Sequence, residues 1–223
     1  MVNYPNKIIM QVNIALLTVT DTRTIENDKS GEILVKKISD QKHNLIDRKI
    51  VKDDKKEIKK IILDWTKKDK IDVIITTGGT GLTGRDITPE VLEEIAEKKI
   101  PGFGELFRQL SYKTIGTSTL QSRACAILKN GKYIFALPGS SGGVTDAWDM
   151  ILKYQLDINH KPCNFVELLP RLKEKYMKLN AVRAMLITSL IIIILYIMGL
   201  FLPIIKNTKE SKFENFNNFE YIV

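Results

Sequence analysis

Cysteine and histidine are scarce in this sequence of 223 residues, which contains two of each. Cys125 and Cys163 lie far apart and lack the spacing of zinc ligands, so neither a disulfide framework nor a cysteine-based zinc module is expected. His43 and His160 are too few for a histidine-rich metal site. These absences argue against a zinc protein of either kind.

Acidic residues are fewer than basic ones, 26 against 34, which gives a net charge of +8. Seven of the basic residues are arginines, and the lysines are spread over several predicted helices. Dedicated nucleic-acid readers usually present a clustered basic face with arginine, so no nucleic-acid partner is predicted. With 44% hydrophobic and 27% charged residues the chain can bury a core, and its length corresponds to one or two domains.

Charge is also absent from residues 184–205, a run rich in Leu and Ile. About 20 apolar residues suffice to cross a bilayer as a helix, and a soluble helix does not need apolar residues on every face. We expect a transmembrane helix over 184–205 and a flexible tail over 206–223. A buried core helix and an artefactual extension of the reading frame are the alternatives.

Two further signals bear on where the protein is located. Basic residues flank the apolar run, and their excess on its N-terminal side favours a cytoplasmic location for the preceding domain. No N-terminal signal peptide is predicted, because the first residues lack a long apolar run. We therefore expect a cytoplasmic domain that is anchored to a membrane by its C-terminal tail.

Apolar runs and amphipathic patterns alternate through residues 1–175, which we assign to one α/β domain. The predicted strands cover residues 13–19, 44–51, 72–77, 124–128 and 132–137. Helical patterns begin near residues 28–30, 54, 88 and 101, and a last one covers 144–155. This alternation predicts a mainly parallel sheet with helices on both sides. The dipeptide Asn130-Gly131 predicts a hairpin and therefore one antiparallel strand.

Small and polar residues follow three of these strands, at 20–23, 76–86 and 138–143. Ligands of open α/β sheets bind at the carboxyl ends of the strands, and small residues let backbone N–H groups approach a phosphate. Residues 79–84 match G-x-G-x-x-G, but the helix and acidic residue that a dinucleotide site requires are missing. Residues 79–86 resemble the phosphate loop G-x-x-x-x-G-K-S/T, except that Arg85 and Asp86 replace its last two residues.

Two carboxylates are candidates for metal binding at this edge of the sheet. Asp86 ends the glycine-rich loop, and Asp53 follows the second strand. A carboxylate together with substrate phosphates is how proteins usually hold Mg²⁺. Each residue also has a structural alternative, because Asp53 could cap the helix that begins near Asp54 and Asp86 could brace its own loop.

Long motifs around these residues resemble the molybdenum cofactor biosynthesis proteins MoaB and MogA. The run TTGGTGLTGRDITPE at 76–90, followed by PGFGELFRQLS at 101–111, is similar to both branches. The runs IGTSTLQSRA at 115–124, FALPGS at 135–140 and PCNF at 162–165 are similar to the MoaB branch. The resemblance covers residues 10–172, and the apolar tail lies outside the family pattern.

The resemblance implies a three-layer α/β domain that binds molybdopterin, forms a homotrimer or an assembly of trimers, and works with other molybdenum cofactor biosynthesis proteins. Its catalytic members adenylylate molybdopterin with Mg²⁺ and ATP and release pyrophosphate. The family's catalytic and metal-binding aspartates correspond to Asp53 and Asp86. Its substrate-binding residues correspond to Gly78, Gly79, Thr80, Gly81, Ser122, Pro138, Gly139 and Ser140. Two alternatives stay open, namely a non-catalytic molybdopterin-binding protein and a membrane-tethered scaffold.

Overall fold

A computed structural model describes residues 10–172, 174 and 182–199 of the chain. The chain divides into two compact units, Met1–Lys173 and Glu174–Val223. The expected flexible tail, 206–223, lies outside the described residues, as does the part of the expected transmembrane helix that follows Gly199.

One mixed sheet of six strands, in the order β2-β1-β3-β6-β5-β4, forms the centre of the first unit. The strands are β1 (Asn13–Val19), β2 (Asn44–Val51), β3 (Val73–Thr77), β4 (Lys98–Lys99), β5 (Cys125–Lys129) and β6 (Lys132–Leu137). Strands β2, β1, β3 and β6 are parallel, whereas β5 runs antiparallel to β4 and β6. Asn130 and Gly131 turn the β5–β6 hairpin with φ angles of 50° and 69°. The mainly parallel sheet with one antiparallel strand is confirmed.

Helices join the strands, and several of them begin at capping residues that the sequence contains. They are α1 (Lys29–Asp40), α2 (Lys55–Thr66), α3 (Thr88–Ile95), α4 (Pro101–Ile115), α5 (Ser141–Ala147), α6 (Lys153–Gln155) and α7 (Phe165–Leu172). The Asp28 carboxylate caps α1, and the Asp54 carboxylate caps α2. A π-type turn at Trp148–Leu152 connects α5 to α6, so the single helix predicted over 144–155 is irregular in its middle. Helix α7 and strand β4 were not predicted.

Alternate residues of the central strands enter two separate hydrophobic cores, which creates three layers. On β1, Ile14 and Leu16 pack in the core formed with α1, α4, α5 and α7. Ala15 and Leu17 point the other way, into the core formed with α2 and α3. Fully burying a leucine or isoleucine stabilises a fold by about 1.5–3 kcal/mol, so these two cores hold the helices on the sheet. The expected three-layer α/β sandwich is confirmed.

In the second unit, residues Val182–Gly199 form one helix, called the tail helix below. It has 18 residues and a mean hydropathy of 2.2, and none of it is buried. Thr188 Oγ1 donates to the Ala184 carbonyl (3.1 Å) and Ser189 Oγ to the Met185 carbonyl (2.8 Å), so both hydroxyls are satisfied within the helix. By length and composition it can cross a membrane.

Candidate functional site

Loops from four parallel strands meet at the carboxyl edge of the sheet. The Gly78 N–H donates to the Leu137 carbonyl (3.1 Å) and Thr77 Oγ1 donates to the Pro138 carbonyl (2.8 Å), which ties the loop after β3 to the loop after β6. The loop after β2 reaches the same place, because a Cβ atom added to Gly79 would lie 2.7 Å from Asp53 Oδ1. The strand topology thus brings together the sequence segments that were predicted to share a crevice.

Glycine is required where these loops touch. Gly78 and Gly79 have φ angles of 97° and 62°, in the region that side chains disfavour. A Cβ at Gly78 would lie 2.1 Å from the Val19 carbonyl oxygen, and one at Gly79 would lie 2.4 Å from Thr88 Oγ1. A Cβ at Gly139 would approach the Cα of Gly78 to 3.2 Å. The two loops therefore pack backbone against backbone, at distances that leave no room for side chains.

A cavity of about 490 Å³ opens between these loops and α4. Its lining includes six of the residues expected to bind substrate: Thr80, Gly81, Ser122, Pro138, Gly139 and Ser140. Gly78 and Gly79 do not line the cavity. They lie where the neighbouring loops contact one another. Ser140 is also the N-cap of α5, and its Oγ accepts a hydrogen bond from the Gly143 N–H (3.1 Å). The volume falls within the range of about 300–1,000 Å³ that is common for small-molecule sites.

Asp86 is held by its own loop and stays ionised. Its Oδ2 accepts hydrogen bonds from the Thr83 N–H (3.0 Å) and the Thr83 hydroxyl (2.6 Å). Burial opposes ionisation, but the hydrogen bonds from Thr83 and Gly81 and the charge of Arg123 outweigh it and lower the pKa of Asp86. Asp86 thus braces its loop, as one of the two interpretations predicted, and presents a negative charge beside the cavity.

Asp53 differs from Asp86 in that one of its two carboxylate oxygens is unpaired within the described residues. It does not cap α2, because Asp54 accepts the Lys56 and Glu57 N–H groups (both 2.9 Å). Its Oδ1 is buried without a hydrogen-bond partner among the described residues. Burial, together with the charges of Asp21 and Asp86, raises the pKa of Asp53, which Arg85 partly offsets. The structural alternative for Asp53 is therefore wrong.

A divalent cation fits the chemistry of this pair. In the part of the chain that the structure describes, no three or more His, Cys, Asp and Glu side chains are grouped to hold a metal by themselves. Mg²⁺, however, is commonly held by one or two carboxylates plus substrate phosphates and water. Asp53, with its unpaired buried oxygen, and the ionised Asp86 match that ligand set. The site suits a cation that arrives with a nucleotide better than a permanently bound one.

Sequence reasoning missed two charged residues at this site. Asp21, which follows β1, forms an ion pair with Arg85 (Nη2 to Oδ2, 2.5 Å) and accepts the Asp53 N–H (3.4 Å). Its position at the end of a parallel strand is the signal that could have identified it. Arg123 contacts the glycine-rich loop, and nothing in the sequence pairs it with partners about 40 residues away.

Comparison with known proteins agrees with this architecture. The family model described as "Probable molybdopterin binding domain" matches residues 15–158. Molybdenum cofactor biosynthesis protein B of Escherichia coli K12 is 44% identical over 152 residues, which cover 68% of this chain and 89% of that protein. A crystal structure of a molybdenum cofactor biosynthesis protein B superposes with a TM-score of 0.68 at 37% identity and covers 75% of this chain and 99% of that one.

A third relative is the tungsten cofactor synthesizing protein MoaB of Pyrococcus furiosus, with a TM-score of 0.59 and 35% identity, covering 66% of this chain and 94% of that one. The class that the fold and the site define is that of the molybdopterin-binding domains. Within this class, the chain belongs to the family of molybdenum cofactor biosynthesis protein B, MoaB. The function of this family is molybdenum cofactor biosynthesis, and the resemblance found in the sequence motifs is confirmed.

Proposed function

We propose that the protein transfers the adenylyl group of ATP to molybdopterin, using Mg²⁺ with the nucleotide. The observation that carries the proposal is the pair of carboxylates at the glycine-rich loop. Asp86 is held ionised by its loop, and Asp53 has a buried oxygen with no hydrogen-bond partner in the part of the chain that the structure describes. A protein that only bound a pterin would gain nothing from burying an unpaired carboxylate oxygen, which costs free energy.

Molybdopterin would occupy the cavity between the loops after β3 and β6. Thr80, Gly81, Ser122 and Ser140 are among the residues that line it, and we infer that their backbone N–H groups and hydroxyls contact the ligand. Glycine-rich backbone that presents N–H groups is well suited to a phosphate. We infer that the same loop receives both the phosphate of molybdopterin and the phosphates of ATP.

In the proposed reaction, an oxygen of the terminal phosphate of molybdopterin attacks the α-phosphorus of ATP. A phosphorus–oxygen bond forms there as the bond from the α-phosphorus to its bridging oxygen breaks, so pyrophosphate leaves and adenylylated molybdopterin results. Asp53 and Asp86 would hold Mg²⁺, which neutralises phosphate charge during such a displacement. The chain's own contribution is to place these two carboxylates beside the bound pterin and to keep Asp86 ionised.

Replacing each aspartate by the isosteric amide tests the proposal. In Asp86→Asn and Asp53→Asn, adenylyl transfer should fall by about 10²-fold or more, because charge stabilisation of the transition state is lost. Molybdopterin affinity should stay near that of the wild type, since neither carboxylate is among the cavity residues. Asp54→Asn is the matched control, because its amide oxygen still caps α2 and it should react normally. Turnover with ATP and purified molybdopterin is the measurement.

Each alternative function predicts a different result. Near-normal turnover in Asp86→Asn would contradict the catalytic assignment. If Asp86 only braces its loop, melting temperature and pterin affinity fall together while turnover per bound pterin stays constant. A wild-type protein that binds molybdopterin without turnover is a non-catalytic binding protein, and one that does not bind it is a scaffold.

We also propose that the tail helix tethers this domain to the cytoplasmic face of a membrane. Its length, its uncharged sequence and the internal hydrogen bonds of its two hydroxyls support this, because lipid offers no partner to a polar group. A homotrimer or assembly of trimers, and other proteins of the pathway as partners, are further expectations from the family resemblance. A tether would confine cofactor synthesis to the vicinity of that membrane.

A further inference from the structure

Arg123 lies just before β5, and each of its nitrogen atoms contacts either the glycine-rich loop or helix α3, which follows that loop. Its backbone N–H donates to the Thr80 carbonyl (3.1 Å). Its Nε donates to the Gly81 carbonyl (2.7 Å) and its Nη2 to the Asp86 carbonyl (2.6 Å). Its Nη1 forms an ion pair with Glu90 of α3. One side chain thus joins the start and the end of segment 81–86 to the helix that follows it.

The geometry of these contacts depends on the guanidinium group. Its donors are fixed in one plane, so the two carbonyl groups that it holds are kept at one separation. Thr83, which donates twice to the Asp86 carboxylate, lies within the segment between those carbonyls. The position of the Asp86 carboxylate is therefore set by Thr83 on one side and by Arg123 on the other.

We propose that Arg123 is a positioning residue for adenylyl transfer, which fixes the Asp86 carboxylate for binding the divalent cation of the nucleotide. Arg123 does not line the molybdopterin cavity, so its effect should fall on metal binding and not on pterin binding. The inference rests on the proposed function, whose chemistry requires Asp86 at this place. It adds a residue that acts through backbone carbonyl groups and does not touch either substrate.

The ion pair with Glu90 is separable from this role. Both side chains are partly exposed, and exposed ion pairs contribute little to stability. Glu90→Gln removes the charge of the partner while leaving the two carbonyl contacts of Arg123 in place. Arg123→Lys keeps the positive charge but loses the planar pair of donors. These two variants form a matched pair that separates charge from geometry.

The test uses the full-length chain purified in detergent, with Mn²⁺ as the cation and a non-reacting α,β-methylene analogue of ATP. Bound Mn²⁺ is measured by electron paramagnetic resonance, alongside molybdopterin affinity and melting temperature. In Arg123→Lys, Mn²⁺ affinity should fall by about 10-fold or more, the usual effect of removing a group that orients a metal ligand. Adenylyl transfer should fall at low Mg²⁺ and recover partly at high Mg²⁺. Glu90→Gln should match the wild type, and molybdopterin affinity should be unchanged in both variants.

Four results would overturn the inference. The first is unchanged Mn²⁺ affinity in Arg123→Lys, and the second is a parallel loss of Mn²⁺ affinity, pterin affinity and melting temperature. The third is an equal loss of Mn²⁺ affinity in Glu90→Gln, which would assign the effect to the ion pair between Arg123 and Glu90. A wild type that does not bind Mn²⁺ with the analogue also overturns it. A wild type that binds Mn²⁺ and the ATP analogue but does not adenylylate molybdopterin contradicts the proposed function alone. The positioning effect is still measured by Mn²⁺ affinity in that case.

Discussion

Asp28 is a fully buried carboxylate beside the site, and it illustrates how single residues hold the loops in place. It accepts hydrogen bonds from Thr18 Oγ1 (2.6 Å), the Gly31 N–H (2.9 Å) and Ser30 Oγ (3.1 Å), and forms an ion pair with Arg48 (3.2 Å). Burial opposes its ionisation, but these partners outweigh burial and lower the pKa of Asp28. The group is therefore charged in the folded protein.

Arg23 extends this buried network to the binding cavity. Its Nη1 donates to Ser30 Oγ (2.8 Å) and to the Gly139 carbonyl (3.1 Å). Gly139 is one of the residues that line the cavity. A change at the buried carboxylate is therefore expected to affect stability first and the cavity loop second.

Asp28→Asn should lower the free energy of unfolding by about 3 kcal/mol at neutral pH, because it leaves Arg48 without its buried partner. Since the pKa of Asp28 is lowered in the folded state, its stabilisation is complete above the ordinary value of 3.8 and is lost as pH falls through the folded pKa. The variant should lack this acid dependence. Urea denaturation as a function of pH measures both effects.

Glu32→Gln is the control for this prediction. Glu32 pairs with the other end of Arg48 but is largely exposed, so its replacement should cost less than about 1 kcal/mol. Equal losses in the two variants would show that burial of Asp28 is not what makes its ion pair important.

The site was only partly predictable from the sequence, and the reason lies in the kind of group involved. Asp53 and Asp86 were found because each lies in the segment after a predicted strand, and such segments share one edge of the sheet. Arg123 and Arg23 were not assigned roles because their acceptors include backbone carbonyls, which every residue carries. Contacts of this kind depend on the folded path of the loops and have no sequence pattern.

At the scale of elements, sequence patterns predicted strands and helices well where polar or capping residues mark the ends of an element. Strands β1 and β2 cover the predicted residues, and β1 is an apolar run bounded by polar residues. Helix α7 was missed because Pro170 lies inside it, and proline usually ends a helix. Strand β4 was missed because two lysines have no β-pattern, and their pairing with β5 alone makes them a strand.

The cap of α2 offers a test that separates an element from the neighbouring site. Asp54→Ala removes the acceptor for two N–H groups and should lower the free energy of unfolding by about 1 kcal/mol. Adenylyl transfer per folded molecule should not change, because Asp53 has no role in capping. Denaturation midpoints and turnover are the measurements. A loss of turnover as large as in Asp53→Asn would mean that the cap of α2 and the site at Asp53 are structurally coupled.

At the scale of the whole molecule, two units of different chemistry lie on one chain. The first has its own two hydrophobic cores, and the tail helix has an exposed apolar surface. Full-length protein should stay with membranes after a carbonate wash, since burying about 20 uncharged residues in lipid is strongly favourable. A chain without residues 184–223 should be soluble and should show near-UV circular dichroism of a folded domain.

A charge in the middle of the tail helix provides the matching control. Ile192→Lys places an ammonium group there, which costs about 2.5–3.5 kcal/mol on insertion scales, so membrane association should weaken while the fold of the domain is kept. Full-length protein found in the soluble fraction would contradict the tether. A truncated chain that is molten would contradict the independence of the first unit.

Strand β4 has a consequence for behaviour at high concentration. It forms one edge of the sheet with only two residues, Lys98 and Lys99, and both are exposed. An unprotected edge exposes free N–H and C=O groups to which another polypeptide can add, and natural proteins prevent such aggregation with very short edge strands and lysine. Copies of this domain are therefore protected at this edge from joining into a continuous sheet, even where they are highly concentrated.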